Sequence, residues 1–114
     1  MIRDIGVYLD DILESIKQIE KYTKGLTQKD FEHKLQVQDA VIRRFEIIGE
    51  AVKNIPEDYK KSHPEIEWRK AAAIRNILIH EYFEVNIERV WNTIIDDLPL
   101  FKKQIQGLPK ISKI

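Results

Sequence analysis

The stretch Gln38-Asp39-Ala40-Val41-Ile42-Arg43-Arg44-Phe45-Glu46-Ile47-Ile48-Gly49-Glu50-Ala51 decides the fold. Its apolar residues recur at three- and four-residue steps, which is the spacing of one face of an α-helix. This face is wider than a single stripe, so we expect burial on more than one side, in the core or against a second subunit. We predict one long helix, from about Gln28 to Asn54, with the following apolar residues in or next to it: Phe31, Leu35, Val37, Val41, Ile42, Phe45, Ile48, Val52 and Ile55.

Two features interrupt the apolar pattern of this central helix. Gly49 lies in its interior, where glycine costs roughly 1 kcal/mol relative to alanine. Close approach of another helix would compensate for that cost, and the alternative is a tolerated glycine without a role. For Arg43 and Arg44 we favour a structural role, in which Glu46 or Glu50 holds one of them at an interface.

The rest of the chain predicts more helices and no strands. A first helix from about Ile2 to Tyr22 ends at Lys24-Gly25, because glycine accepts the left-handed C-terminal conformation, and Thr27 caps the next helix. We predict three later segments: a short one from Pro56 to about Lys61, a helix from about Ile66 to Tyr82, and a helix capped by Asn86 that Leu98-Pro99 kinks or interrupts near Asp97.

Composition places the chain in a broad class. Its 114 residues suit one domain, the absence of cysteine excludes disulfides and thiolate metal sites, and no apolar run approaches the length of a membrane span. The N-terminus is not typical of a signal peptide, so we expect a cytoplasmic protein. Nineteen basic and 19 acidic residues cancel, which argues against a general nucleic-acid coat but leaves room for local RNA chemistry.

The candidate functional stretch is Arg75-Asn76-Ile77-Leu78-Ile79-His80-Glu81-Tyr82. On an ideal helix Asn76 and His80 share a face, Arg75 and Tyr82 share a neighbouring one, and Arg75 and His80 lie about 140° apart. Arg75 and His80 can therefore meet at one phosphate only if the arginine wraps around, the helix distorts, or a second subunit completes the site.

The chemistry of these residues suits a phosphodiester. Histidine titrates near neutral pH and can take a proton from a ribose 2′-hydroxyl or give one to the leaving 5′-oxygen. A guanidinium binds a phosphate in a bidentate way and stabilises the charge of the transition state, so neither a metal nor a cofactor is required. The alternative is that these are solvated or structurally paired residues, with Tyr82 as a packing aromatic.

The arrangement resembles the HEPN superfamily of ribonucleases and nucleotide-binding modules, and within it HepT, the toxin of HepT–MntA toxin–antitoxin pairs. Where that family often has Ala-Gly-Met before the arginine, this chain has Ala72-Ala73-Ile74. The resemblance covers nearly the whole chain and rests on these stretches: Arg3-Asp4, Tyr8 to Ile12, Gln38 to Ala51, Pro64 to Trp68, Arg-x-x-x-x-His-x-Tyr at 75–82, Val90-Trp91 and Asp97-Leu98-Pro99.

The resemblance implies an all-α, homodimeric, up-and-down bundle of four to five helices over residues 1–106, with a frayed tail at 107–114. It implies a metal-independent endoribonuclease with catalytic Arg75 and His80 at the dimer cleft, where Asn76 is a candidate supporting contact to RNA phosphate. It also implies an MntA-type minimal nucleotidyltransferase antitoxin that adds AMP to Tyr82. The alternatives are a non-catalytic HEPN module that binds nucleotide or partners a nucleotidyltransferase, and a plain helical dimerisation domain.

Other polar residues are weaker candidates. We expect neither His33 nor His63 to be a ligand, and no His/Glu spacing predicts a zinc site. Lys60-Lys61 and Arg69-Lys70 could flank an RNA path, but such pairs are usually solvated surface.

Overall fold

Helices alone make up the described part of the fold, which confirms the all-α prediction. The computed structural model describes residues 4–80 and 86–109, the side chains of 76–80 excepted, and these residues form no strand. Their α-helices are α1 (Ile5–Thr23), α2 (Gln28–Glu32), α3 (Leu35–Asn54), α4 (Glu57–Ser62), α5 (Trp68–His80), α6 (Ile87–Asn92) and α7 (Leu98–Gln106). A π-helical turn, Thr93–Asp97, joins α6 to α7.

The central position belongs to α3, which packs against α1 on one side and α5 on the other. This arrangement explains its wide apolar face, because two neighbours within the same protomer cover it. The apolar residues that α1 and α3 bury most completely are Ile12, Ile16, Ile19, Val41, Phe45, Ile48 and Val52. Within the described helices, none is both long and apolar enough to cross a membrane.

The predicted helix ends around the first loop are confirmed, whereas α1 begins later than the predicted Ile2. The Asp4 side chain accepts a hydrogen bond from the Gly6 N–H at 2.8 Å and caps α1, which begins at Ile5. After α1, Gly25 has a φ of +77°, the left-handed conformation for which glycine is suited. Thr27 and Asp30 form a reciprocal capping box at α2, and the hydrogen bonds from Thr27 lower the pKa of the Asp30 carboxyl.

The prediction of one continuous helix from Gln28 to Asn54 is wrong, because the chain breaks at His33 and Lys34. The buried Gln38 side chain stabilises this break: its Nε2 donates to the carbonyl oxygens of Phe31 at 2.8 Å and Glu32 at 3.1 Å. The last carbonyls of an α-helix have no partner within the helix, and Gln38 supplies one here; the Phe31 carbonyl also accepts from the Lys34 N–H at 3.3 Å.

Because of the break, two apolar residues that the sequence predicts on one helix face differ in their exposure to solvent. Phe31 becomes fully buried and packs on Trp91, with their ring centroids 5.2 Å apart. Leu35 is left 68% exposed at the start of α3. The apolar face of α3 that enters the protomer core therefore begins after Leu35.

The later helices follow the predicted order with shifted boundaries. The α5 helix begins at Trp68, whose indole N–H donates to the His63 carbonyl at 3.1 Å, and Tyr82 lies outside the described residues. Asn86 caps α6, as predicted, by accepting from the Arg89 N–H at 3.1 Å.

The predicted interruption before Pro99 is confirmed and takes the form of the π-helical turn, in which the Leu98 N–H donates to Thr93, five residues back. Proline lacks an N–H and crowds the carbonyl four residues before it, so a wider turn relieves both constraints. The frayed tail predicted for 107–114 falls partly outside the described residues, which end at Pro109, and stays a prediction.

Gly49 is where α3 and α5 come closest, which confirms the expected close approach. A Cβ built on Gly49 would lie 2.8 Å from the Cβ of Arg75, a separation that real Cβ atoms essentially never show. The clash involves the base of the arginine side chain and not its flexible end, so the two helices would have to move apart.

We therefore predict that Gly49→Ala destabilises the protein, although alanine is the better helix former by about 1 kcal/mol. Overpacking of a tight core contact costs typically about 1–3 kcal/mol, which outweighs the propensity gain. The free energy of unfolding in urea measures the effect. Gly107→Ala is the matched control, because its Cβ would meet only ordinary contacts at 3.5 Å. A Gly49→Ala protein as stable as wild type would contradict the close packing.

Candidate active site

The Arg75 side chain is tightly packed at its Cβ and partly exposed at its guanidinium. Its Cβ fills the space above Gly49, and its guanidinium Nη1 lies 3.6 Å from the Glu50 Oε2 on α3. The arginine side chain is 39% exposed, so the charged end remains accessible to a ligand.

The beginning of α5 is anchored at two points, which fixes the helix that carries Arg75. The Glu67 N–H donates to the Gln104 side chain of α7 at 3.0 Å. Ala71 and Ile74, on the side of α5 that faces the core, are buried. The position of Arg75 therefore follows from core packing and not from the weak ion pair at its tip.

Arg75 opens into a groove between α1, α3 and α5 with a volume of about 300 Å³. The groove carries two guanidiniums and three carboxylates, so its lining has no cationic excess. Its lining residues are Tyr8, Asp11, Arg43, Glu46, Ile47, Glu50, Ala51, Asn54 and Arg75.

One of the predicted ion pairs is present in the groove, and Glu50 pairs with an arginine other than the two predicted. Arg43 pairs with Glu46 across one helical turn, with Nη1 and Oε2 3.7 Å apart. Glu50, which the sequence offered as a partner for Arg43 or Arg44, instead reaches across to Arg75. Sequence reasoning missed this inter-helix pair; its only signal was that Glu50 follows a glycine that needs a close neighbour.

Sequence spacing does not predict that the other groove residues lie near Arg75. Tyr8 and Asp11 stand on α1, far from the motif in sequence, and Asn54 lies at the end of α3. Nothing in local spacing brings them to Arg75.

His80 is the last described residue of α5, and the helix is α-helical along its whole length from Trp68. A regular helix keeps Arg75 and His80 about 140° apart, so the backbone shows none of the distortion that could bring them together. The side chains of Asn76 and His80, and the whole of Tyr82, lie outside what the structure describes. The grouping of these residues with Arg75 therefore stays a prediction.

Some of the weaker candidates contact neighbouring side chains. His63 Nδ1 lies 3.3 Å from the Glu65 carboxylate, and its ring packs on Tyr59 at 4.5 Å. Lys60 pairs with Glu57 at 3.5 Å. His33 forms the C-terminal end of α2.

Lys70 also has a carboxylate partner. Its Nζ lies 2.9 Å from Glu67, and this hydrogen bond raises the pKa of the Lys70 ammonium. Among the side chains that the structure describes, no three His, Asp or Glu residues cluster in a way that could hold a metal ion.

Comparison with known proteins places this chain in a family. The family profile described as "Ribonuclease HepT-like" matches residues 12–108. "Probable ribonuclease HepT" of Thermococcus cleftensis is 48% identical over 103 residues, which cover 90% of this chain and 94% of that protein. "Putative RNase MJ0127" of Methanocaldococcus jannaschii is 41% identical over 108 residues, which cover 95% of this chain and 89% of that protein.

A longer relative contains the same region. "Gamma-glutamylcyclotransferase and putative RNase MJ0434" of Methanocaldococcus jannaschii is 46% identical over 105 residues, which cover 92% of this chain but only 47% of that protein. The chain therefore spans about half the length of this relative. No solved structure matches the chain significantly. Because the family profile extends from the middle of α1 to just beyond α7, the chain belongs to the HepT-like ribonuclease family.

Proposed function

We propose that the protein is the toxin of a toxin–antitoxin pair and cleaves RNA as a metal-independent endoribonuclease through Arg75 and His80. The observation that carries this proposal is the placement of Arg75, whose base is locked against Gly49 while its guanidinium faces an open groove. His80 follows on the same helix. Family membership supports the reaction class.

The reaction needs these two side chains and water. The His80 imidazole accepts the proton of a ribose 2′-hydroxyl as its oxygen attacks phosphorus, the bond from phosphorus to the 5′-oxygen breaks, and water supplies the proton to the leaving 5′-oxygen. The Arg75 guanidinium offsets the charge that develops on the phosphate oxygens. The products are a 2′,3′-cyclic phosphate and a free 5′-hydroxyl.

Glu50 does not block this role of Arg75. The pair has a long 3.6 Å separation and both side chains are substantially exposed. Such exposed pairs contribute roughly 0–1 kcal/mol, so a phosphate, which binds the guanidinium in a bidentate way, can displace the carboxylate.

We infer that a second copy completes the site. The regular helix separates Arg75 from His80 by about 140°, and a homodimer removes this difficulty by bringing His80 of one copy to Arg75 of the other. The exposed Leu35 at the start of α3 supports an interface along the central helix, with α5 beside it.

We further propose that an MntA-type minimal nucleotidyltransferase neutralises the protein by adding AMP to Tyr82. Tyr82 lies seven positions after Arg75, so a continuing helix would place both on one face. An attached anion there would compete with RNA phosphate for the guanidinium.

The charge of the protein favours a second function, that of a non-catalytic HEPN module that binds nucleotide or partners a nucleotidyltransferase. The groove beside Arg75 has three carboxylates and two guanidiniums, and the whole chain has no net charge. Neither feature attracts RNA over a distance.

His80→Ala should abolish RNA cleavage while leaving the fold intact, since general acid–base catalysis contributes typically about 10²–10⁴-fold. Arg75→Ala should be comparably damaging, and Arg75→Lys should rescue only in part because an ammonium lacks the planar fork. Cleavage rates of a labelled RNA, with circular dichroism as the folding control, measure these effects. The wild-type protein should remain active in EDTA. Cleavage that requires added magnesium, or that survives His80→Ala, would favour the non-catalytic module.

Tyr82→Phe should prevent modification by the partner nucleotidyltransferase, because phenylalanine lacks the oxygen that accepts AMP. Intact-mass measurement after incubation with the partner and ATP tests this expectation. Tyr59→Phe serves as the control, since its hydroxyl is buried and distant in sequence from the motif. An AMP mass that persists in Tyr82→Phe would place the modification elsewhere.

The protein should be a homodimer whose interface, along α3 and α5, buries at least roughly 1,000 Å² in total. Light scattering at micromolar concentration measures the molar mass directly. Leu35→Asp should weaken the dimer without unfolding the protomer, because the Leu35 side chain is largely exposed and contributes little to the protomer core. A wild-type monomer at that concentration would remove the argument for a shared site.

A further inference from the structure

We propose that Arg43 is a second phosphate-binding residue, which holds the RNA strand at the far end of the Arg75 groove. This inference rests on the proposed function. It concerns a residue for which the sequence favours structural pairing.

The first argument is location. Arg43 and Arg75 line the same groove, from α3 and α5 respectively. Arg43 lies two helical turns before Glu50, the partner of Arg75, which is on the order of 10 Å along α3. The groove volume of about 300 Å³ is at the lower end of ligand sites, so it suits a short piece of a single strand and not a duplex.

The second argument is accessibility. The Arg43 side chain is 70% exposed, and its described ion pair, with Glu46, is 3.7 Å long and involves a carboxylate that is itself 52% exposed. Strong charge-assisted hydrogen bonds between a guanidinium and a carboxylate are typically about 2.7–2.9 Å long, which this contact exceeds. Arg43 therefore stabilises the fold little and remains available for a ligand.

The third argument is the repetition of one arrangement along the groove. Arg43 stands beside Glu46 at 3.7 Å, and Arg75 stands beside Glu50 at 3.6 Å. In each pair an exposed carboxylate from α3 holds a guanidinium by a weak contact. The same phosphate chemistry that displaces Glu50 from Arg75 displaces Glu46 from Arg43.

The Glu46 and Glu50 carboxylates also determine how the groove can attract RNA. With Asp11, they outnumber the guanidiniums, so the groove does not draw RNA in by a long-range field. Affinity comes from two short-range phosphate contacts, each of which replaces a carboxylate. The salt dependence of binding should accordingly correspond to few neutralised phosphates.

The test is binding of a fluorescent single-stranded RNA with 2′-O-methyl riboses, which lacks the nucleophile and is not cleaved. Arg43→Gln should weaken binding roughly five- to tenfold and lower the slope of log K against log salt by about 0.7, the value for one phosphate on a single strand. Lys53→Gln is the matched control, because it removes an exposed cation from the same helix outside the groove. Its affinity should stay within about twofold of wild type.

Glu46→Gln separates phosphate binding from structural pairing. If Arg43 binds phosphate, removal of its competitor should leave RNA binding as tight as wild type or tighter, opposite in sign to Arg43→Gln. If the ion pair matters only for structure, both variants should weaken binding alike, which would overturn the proposal.

Cleavage kinetics distinguish this inference from the proposed function. Arg43→Gln should raise KM with kcat little changed, because Arg43 contacts a phosphate that does not react. If wild-type protein cleaves RNA and Arg43→Gln behaves like Lys53→Gln, the role of Arg43 is wrong while the proposed function stands. If wild-type protein neither binds nor cleaves RNA, both fall.

Discussion

The contact between Gly49 and the base of Arg75 is the constraint on which the rest of the structure depends. The missing side chain at position 49 lets α5 approach α3 until the arginine Cβ occupies the space that another residue would need. That approach completes the burial of α3, which α1 covers on its other side. It also fixes where the Arg75 guanidinium emerges, next to Glu50 and at the edge of the groove. Arg75 thus takes part in the packing of α5 against α3 and also presents the guanidinium of the candidate site.

Most of the fold follows from local rules that a single sequence displays. Helical periodicity predicts the helices, and the caps at Thr27 and Asn86 and the turn at Gly25 follow from residue chemistry. The break between α2 and α3 could not be predicted in this way. It depends on the Gln38 side chain, which binds carbonyls six and seven residues earlier, and no glycine or proline marks it.

The candidate site likewise contains some contacts that the sequence predicts and others that depend on the tertiary fold. Arg43 and Glu46 are three positions apart on one helix, so helical spacing makes their pair one of those that the sequence predicts. The Arg75–Glu50 pair joins two helices and depends on how closely they approach, which spacing does not specify. Tyr8, Asp11 and Asn54 reach the groove only through the packing of α1 against α3. The motif residues carry recognisable chemistry, whereas their surroundings are a product of the tertiary fold.

The central claim is that Arg75 of one copy acts with His80 of another, because a regular α5 holds the two residues on different faces within one copy. Mixing Arg75→Ala protein with His80→Ala protein under conditions that exchange subunits tests this claim most directly. A mixed dimer retains one Arg75 and one His80, on different chains. Two inactive proteins should then regain roughly a quarter of wild-type RNA cleavage, since half the dimers are mixed and each keeps one of two sites. A mixture no more active than the separate variants would contradict the shared site.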